Sequence, residues 1–251
     1  MKLLFLTTST LSDIQEVQSK CIKKFFPNSQ HIIIDGRFGW FLIWYEWLNV
    51  AKNIDSDWYI YVDEDCFITS NKEILNHIEY MQKNNIDISG CPDGFHEYRS
   101  GNNIALNSFF MIMNKKCIDS WHSRDTIPQF KKEWIEDYPY VKTNTSRYIF
   151  DMEFGSSGKP FQLIYKDGSE PYYDFMWVLK DKGLKFFYLE PKFGSEYKTT
   201  NLLNDTVMHM WHQRERWSNN IVSTLHDIPN KIRYDNMIEY LIKNRGISRN
   251  F

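Results

Sequence analysis

The stretch Asp57-Trp58-Tyr59-Ile60-Tyr61-Val62-Asp63-Glu64-Asp65-Cys66-Phe67-Ile68 constrains this chain more than any other. Its first half is aromatic and β-branched, short, and bounded by polar residues, the profile of a buried strand rather than a helix. The strand runs straight into three acids. Adjacent carboxylates repel one another and are costly at a packed strand end unless a cation or water offsets them. Strand ends in open α/β sheets are also where ligands bind. The simplest chemistry served by this pattern is a hard divalent cation held by Asp63 and Asp65, with a phosphate-bearing ligand on its other face. A solvated acidic turn is the plainer alternative.

The order of elements around this strand favours an α/β fold. Lys2 to Leu6 reads as a first buried strand breaking into Thr7-Thr8-Ser9-Thr10. Ser12-Asp13-Ile14-Gln15 is a capping-box pattern that opens a helix to about Phe25, and Pro27-Asn28 ends it. His31 to Ile34 is a second strand, closing on Asp35-Gly36. Strand, helix, strand is a βαβ unit with parallel strands, so the ends at Thr7 and Asp35 share one sheet edge. Trp40 to Asn53 has helical apolar spacing, and Trp40, just before the periodic part, is placed to pack on a nucleotide.

Further along, Ser70-Asn71-Lys72-Glu73 is a second capping box. Ile86 to Gly90 reads as a strand, Pro92 to Asn103 as a loop, and Ile104 to Met113 as a buried strand. Asn107 and Ser108 are polar within that strand, so they pair with backbone or face a ligand. Tyr138 to Ser169 is the least regular part and reads as a loop-rich insertion that builds an acceptor pocket. Glu170-Pro171-Tyr172-Tyr173-Asp174 starts a helix that Gly183 ends, with both acids on one face of its first turn. The helix dipole alone accounts for acids there, and the position also suits a general base. Thr206 to His212 is a late strand followed by Arg214 and Arg216, a cluster able to complete a metal shell and neutralise phosphate. His209 and His212 point to opposite faces of a strand, so one of them at most is expected to be a ligand.

Composition narrows the class. The chain has 251 residues, 42% hydrophobic and 25% charged, ordinary for a folded globular protein. A net charge of −2 gives no sign of a nucleic-acid or membrane-surface partner. Aromatic residues reach 17%, enough to fill a core and leave some for stacking on sugars. Cys21, Cys66, Cys91 and Cys117 form no metal-type pair and read as reduced, buried thiols of a cytoplasmic protein. Met1 to Leu6 is too short for a signal-peptide core, and no apolar run reaches transmembrane length.

A hydrophobic strand ending in Asp-x-Asp, here Asp63-Glu64-Asp65, resembles the metal-binding motif of the GT-A glycosyltransferases, and the order of elements over about residues 2 to 217 is similar to theirs. The resemblance implies one Rossmann-like α/β domain with a mostly parallel, mixed central sheet flanked by helices. It implies a nucleotide-binding half over about residues 1–113 and an acceptor-side half over about 114–251. It further implies Mn²⁺ or Mg²⁺ on Asp63 and Asp65, completed by His212 or, second, His209. Thr7, Thr8, Asp35, Trp40, Asn107, Arg214 and Arg216 are then the donor-side residues, with Asp174 or Glu170 as the base of an inverting enzyme. The implied activity is transfer of a sugar from a UDP- or GDP-sugar to a hydroxyl of a glycan or other acceptor. The spacing fits no particular subfamily. A sugar nucleotidyltransferase shares a similar sheet and metal site, but no Gly-rich Arg/Lys signature follows the first strand. A non-catalytic carbohydrate-binding protein has no need of the acidic cluster, late histidine and basic loop together.

Overall fold

The computed structural model describes residues 1–10, 12–38, 40–93, 105–121, 141–142, 148–153, 155, 157–158, 160–165, 172–194, 199–210 and 230–248. Its first elements are β1 (Leu3–Ser9), α1 (Ser12–Phe25), β2 (Gln30–Asp35), α2 (Trp40–Lys52) and β3 (Trp58–Val62). β1 pairs in parallel with both β2 and β3, as expected of a βαβ start. β4 (Cys66–Ile68), α3 (Lys72–Lys83), β5 (Ile88–Pro92), β6 (Leu106–Asn114) and α4 (Lys115–Ser120) follow. After them come β7 (Val141–Lys142), β8 (Tyr148–Glu153), β9 (Pro160–Tyr165), α5 (Tyr173–Asp181) and β10 (Phe186–Tyr188). The last elements are β11 (Lys192–Gly194), β12 (Thr199–Leu202), β13 (Val207–His209) and α6 (Asn230–Arg245).

The central sheet has the order β10-β5-β6-β3-β1-β2. β6 runs antiparallel to both its neighbours, and the other five strands share one direction. Alternation along the strands covers both faces. Leu4, Leu6, Tyr59 and Tyr61 pack with α2, α4 and α5, whereas Phe5, Trp58, Ile60 and Val62 pack with α1 and α3. A sheet wrapped on both faces is what makes its strands read as unbroken apolar runs. Both clusters draw on residues from either half of the chain. A four-stranded antiparallel sheet, β11-β12-β13-β4, packs beside it, and α1 and α6 cover part of that sheet through Ile14, Phe67, Met208 and Met237.

Three expectations change. Residues 141–165, read from sequence as loop-rich, contain the antiparallel sheet β7-β8-β9. The Gly- and Ser-rich residues 154–159 between β8 and β9, and the Asn, Thr and Ser residues before β8, give the stretch the composition of a loop and hide the strand pairing. The second capping box does not form as expected: Asn71 stands at the N-cap position of α3 with a helical backbone (φ −94°, ψ −25°) and no side-chain cap hydrogen bond, and the Ser70 hydroxyl accepts from Lys72 N at 3.3 Å. The late strand stops at His209, three residues short of His212. All four cysteines are free and buried, and burial pushes their thiols up, Cys21 to about 12. Among the described residues no helix is long and apolar enough to cross a membrane.

His77 on α3 gives the packing a pH signature. Only 8% exposed, it shares a hydrogen bond of 2.8 Å with the Ser89 hydroxyl. Burial lowers its pKa to about 4. Between the ordinary value near 6.5 and about 4 the unfolded chain binds a proton that the folded one refuses. His77 should therefore cost nothing above pH 6.5 and up to about 3 kcal/mol as pH falls to 4. Urea titrations across this window should show a shallower loss of stability for His77→Gln than for the wild type. Equal slopes would contradict the assignment.

Candidate metal and donor site

The three acids at the end of β3 do not share one environment. Glu64, 2% exposed, turns back to the end of β1 and accepts from Ser9 Oγ at 2.8 Å, Thr10 N at 2.6 Å and Thr10 Oγ1 at 3.0 Å. Asp63 and Asp65 stay partly exposed on the other side. Alternation along the turn thus removes the middle charge from the row and lessens the repulsion the sequence implied.

Backbone contacts fix the turn. Asp63 N donates to Phe109 O at 2.9 Å, and Asp63 O accepts from Cys66 N at 3.0 Å. Gln18, fully buried on α1, donates through Nε2 to the carbonyls of Val62 and Asp63, while its Oε1 accepts from Thr7 Oγ1 at 3.1 Å. Tyr61 Oη donates to Asp63 Oδ1 at 3.3 Å. Each bond ties the acidic turn to an element with its own place in the core.

β13 brings a histidine to this turn. Its antiparallel register on β4 sets His209 opposite Cys66, the residue after Asp65, and Met210 N donates to Asp65 O at 2.9 Å. His209 Nε2 lies 3.1 Å from Asp65 Oδ1, and the ring stacks on Phe109 with centroids 4.4 Å apart and planes 5° off parallel. One ligand atom each from Asp63, Asp65 and His209 lie within 4.8 Å of one another. Two carboxylates and one imidazole, partly open to solvent, fit a divalent cation that keeps further positions for water or phosphate oxygens. Stacking and the Asp65 contact hold the imidazole in place, the support that a ligating histidine needs.

The other expected residues divide. Thr8, at the C-terminal end of β1, is buried with an Oγ1 that has no hydrogen-bond partner among the described residues, so it has capacity for a ligand. Thr7 does not: fully buried, its hydroxyl is used by Gln18 and by His31 Nε2 at 3.0 Å. Asn107 is likewise internal, 1% exposed, donating to Asp93 Oδ1 at 2.7 Å and accepting from Phe109 N at 3.2 Å. Asp35 is exposed at the same sheet edge, and the Arg37 side chain that hydrogen-bonds it holds its carboxyl down to about 2. A sugar or base reaching Asp35 therefore competes with Arg37. Trp40 opens α2 and Asp174 lies in the first turn of α5, their side chains outside the described set. Glu170, His212, Arg214 and Arg216 lie outside the described residues.

Two residues escaped the sequence reading. Asp93, 1% exposed just past β5, accepts from Asn107 and from Tyr173 Oη, so it ties the start of α5 to the sheet edge that carries Asp63. Its setting in a Gly- and Asn-rich stretch gave no signal. Arg233 on α6 is 1% exposed, one turn before Met237 and two before Leu241, which pack with Phe67 and Met208. Burial lowers its guanidinium pKa to about 10, and the nearby Asp65 charge opposes that shift. The spacing 233, 237, 241 marks one helix face, so an arginine on the buried stripe of that helix was a legible clue.

Comparisons give low similarities. No protein-family model matches this chain. No curated protein matches it either. Solved glycosyltransferases are among its structural neighbours. One is a mannosyltransferase from Pyrobaculum calidifontis in complex with GDP-Man and Mn²⁺, 7% identical, covering 47% of this chain and 46% of that one, with a TM-score of 0.35. The galactosyltransferase LgtC, with donor and acceptor sugar analogues, is 13% identical over 74% of this chain and 73% of that one, with a TM-score of 0.38. A cytidylyltransferase from Leptospira borgpetersenii is 13% identical over 100% and 97%, with a TM-score of 0.39.

The Glu64 clasp is testable on its own. Glu64→Ala removes the acceptor shared by Ser9 Oγ, Thr10 N and Thr10 Oγ1 and should destabilise the fold by on the order of 2 kcal/mol in urea unfolding. An unchanged midpoint would mean that the clasp contributes nothing.

Proposed function

We propose that this chain is a divalent-metal-dependent glycosyltransferase acting on a nucleoside-diphosphate sugar and a hydroxyl acceptor. The observation that carries the reading is the convergence of Asp63, Asp65 and His209 within 4.8 Å at the edge where the parallel strands end. A cation bound there supplies positive charge to a departing diphosphate. The nitrogen ligand inclines the set toward Mn²⁺ over Mg²⁺. In this reading about residues 1–113 form the donor half and about 114–251 the acceptor side.

The residues divide the work by charge. Asp63, Asp65 and His209 hold the cation. The unsatisfied Thr8 hydroxyl offers a hydrogen bond to the nucleotide at the end of β1. Breaking the bond from the anomeric carbon to the diphosphate leaves negative charge on the leaving group, and Arg233, with Arg214 and Arg216, is assigned to offset it. The acceptor oxygen attacks the anomeric carbon as its proton passes to a carboxylate. Asp174 or Glu170 is assigned that role in an inverting enzyme. Tyr173, bonded to Asp93, supports it by holding the start of α5 at the same sheet edge.

Calorimetric titration with UDP- and GDP-sugars checks the reading. With Mn²⁺, one donor should bind at least about tenfold more tightly than in EDTA, equivalent to about 1.4 kcal/mol of coupling. Asp65→Ala should abolish that difference, and His209→Ala should reduce it. Equal affinity with and without metal for every donor that binds would overturn the proposal.

A further inference from the structure

We infer a second saccharide-binding site in a cavity of about 390 Å³ between the turn joining β12 to β13, the start of α3 and the end of β10. This volume lies within the range of small-ligand sites. The inference rests on the glycosyl-transfer reading and deepens it, by giving the acceptor more than one sugar unit.

Asn201 is the anchor. It is 5% exposed, and its Nδ2 donates to Asp205 Oδ1 at 2.8 Å. A carboxylate only accepts, so this bond fixes which way the amide points. Asn201 Oδ1 is then left buried with no partner among the described residues, on a residue that lines the cavity. A buried acceptor in that state calls for a donor from outside.

The turn beside it is held in a costly shape. Leu203, Asn204 and Asp205 all have left-handed backbones, with φ of 51°, 52° and 61°. None is glycine, and leucine tolerates this region poorly. Thr69 Oγ1 bonds to Asp205 O at 2.9 Å and Asn201 bonds to the Asp205 carboxylate, so two other elements hold the turn. Strain kept in place in this way clusters at ligand sites.

The lining chemistry selects the ligand class. Glu73, Glu190 and Asn201 offer acceptors, Lys192 and Asn204 offer donors, and the partly exposed Leu203 gives an apolar wall. Neighbouring hydroxyls of a sugar both donate and accept, and its C–H face suits a leucine. A divalent cation fits less well, because the Lys192 ammonium shares the cavity. Asn204, the turn residue of the cavity nearest in sequence to His209, lies five residues before it, at most roughly 17 Å at about 3.4 Å per residue. That separation suits an oligosaccharide acceptor reaching from the metal centre.

Saturation-transfer NMR tests the site with defined tetrasaccharides of mannose, glucose, galactose and N-acetylglucosamine, in the absence of any donor. At least one should receive saturation from wild-type protein. Its signal should fall at least fivefold in Asn201→Leu and in Glu190→Gln. It should persist in Asp65→Ala, which loses metal-dependent donor binding, so the two readings fail separately. Glu190→Gln keeps the Asn201–Asp205 bond and covers the case in which Asn201→Leu fails to fold. The inference is overturned if no tetrasaccharide binds, if binding survives Glu190→Gln, or if Asp65→Ala removes it. Binding of Mn²⁺ or Ca²⁺ at Glu190 in place of sugar would also overturn it.

Discussion

Everything at the sheet edge follows from placing three carboxylates in a row at the end of a fully buried strand. Val62 is fully buried, and the next residue begins the acids. Charges in such a place need separation, hydrogen bonds or a cation. Separation comes from the alternation of the turn, which sends Glu64 to Ser9 and Thr10 and leaves Asp63 and Asp65 on the other side. Hydrogen bonds come from β1 and from Tyr61, and the remaining capacity of Asp63 and Asp65, together with His209, suits a cation.

The same constraint explains why distant parts of the chain meet here. Gln18 reaches from α1 to the carbonyl of Asp63, and Phe109 on β6 accepts its N–H. The Phe109 ring also supports His209 on β13. Strand pairing across the two sheets thus turns a local acidic tripeptide into a three-sided site. Ligand spacing at a metal is sensitive to shifts of about half an ångström, so each contact that holds the turn bears on the site.

The βαβ start, the acidic strand end and the order of helices and strands were legible because their signals are local. Apolar runs mark the strands, and helical spacing marks α1, α2 and α3. The sheet β7-β8-β9 was not legible, since its pairing depends on partners up to 17 residues away along the hairpin, Tyr148 with Tyr165. Thr7 and Asn107 looked available for a ligand because a sequence shows a polar side chain but not the partner that satisfies it. Gln18 and Asp93 are those partners. The choice between His209 and His212 turned on where β13 ends, and strand ends are poorly marked when no glycine or proline stands there. His209 is the histidine set beside Asp65, and it takes its place by ladder register rather than by any motif.

The central claim is that Asp63, Asp65 and His209 hold a divalent cation together. Crystals grown with Mn²⁺ and a nucleoside diphosphate, measured on both sides of the manganese absorption edge, test it most directly. An anomalous peak within bonding distance of both carboxylates and of His209 Nε2, bridged to the diphosphate, is the expected result. Diphosphate bound with no manganese at the acidic turn, or manganese bound elsewhere in the protein alone, would contradict it.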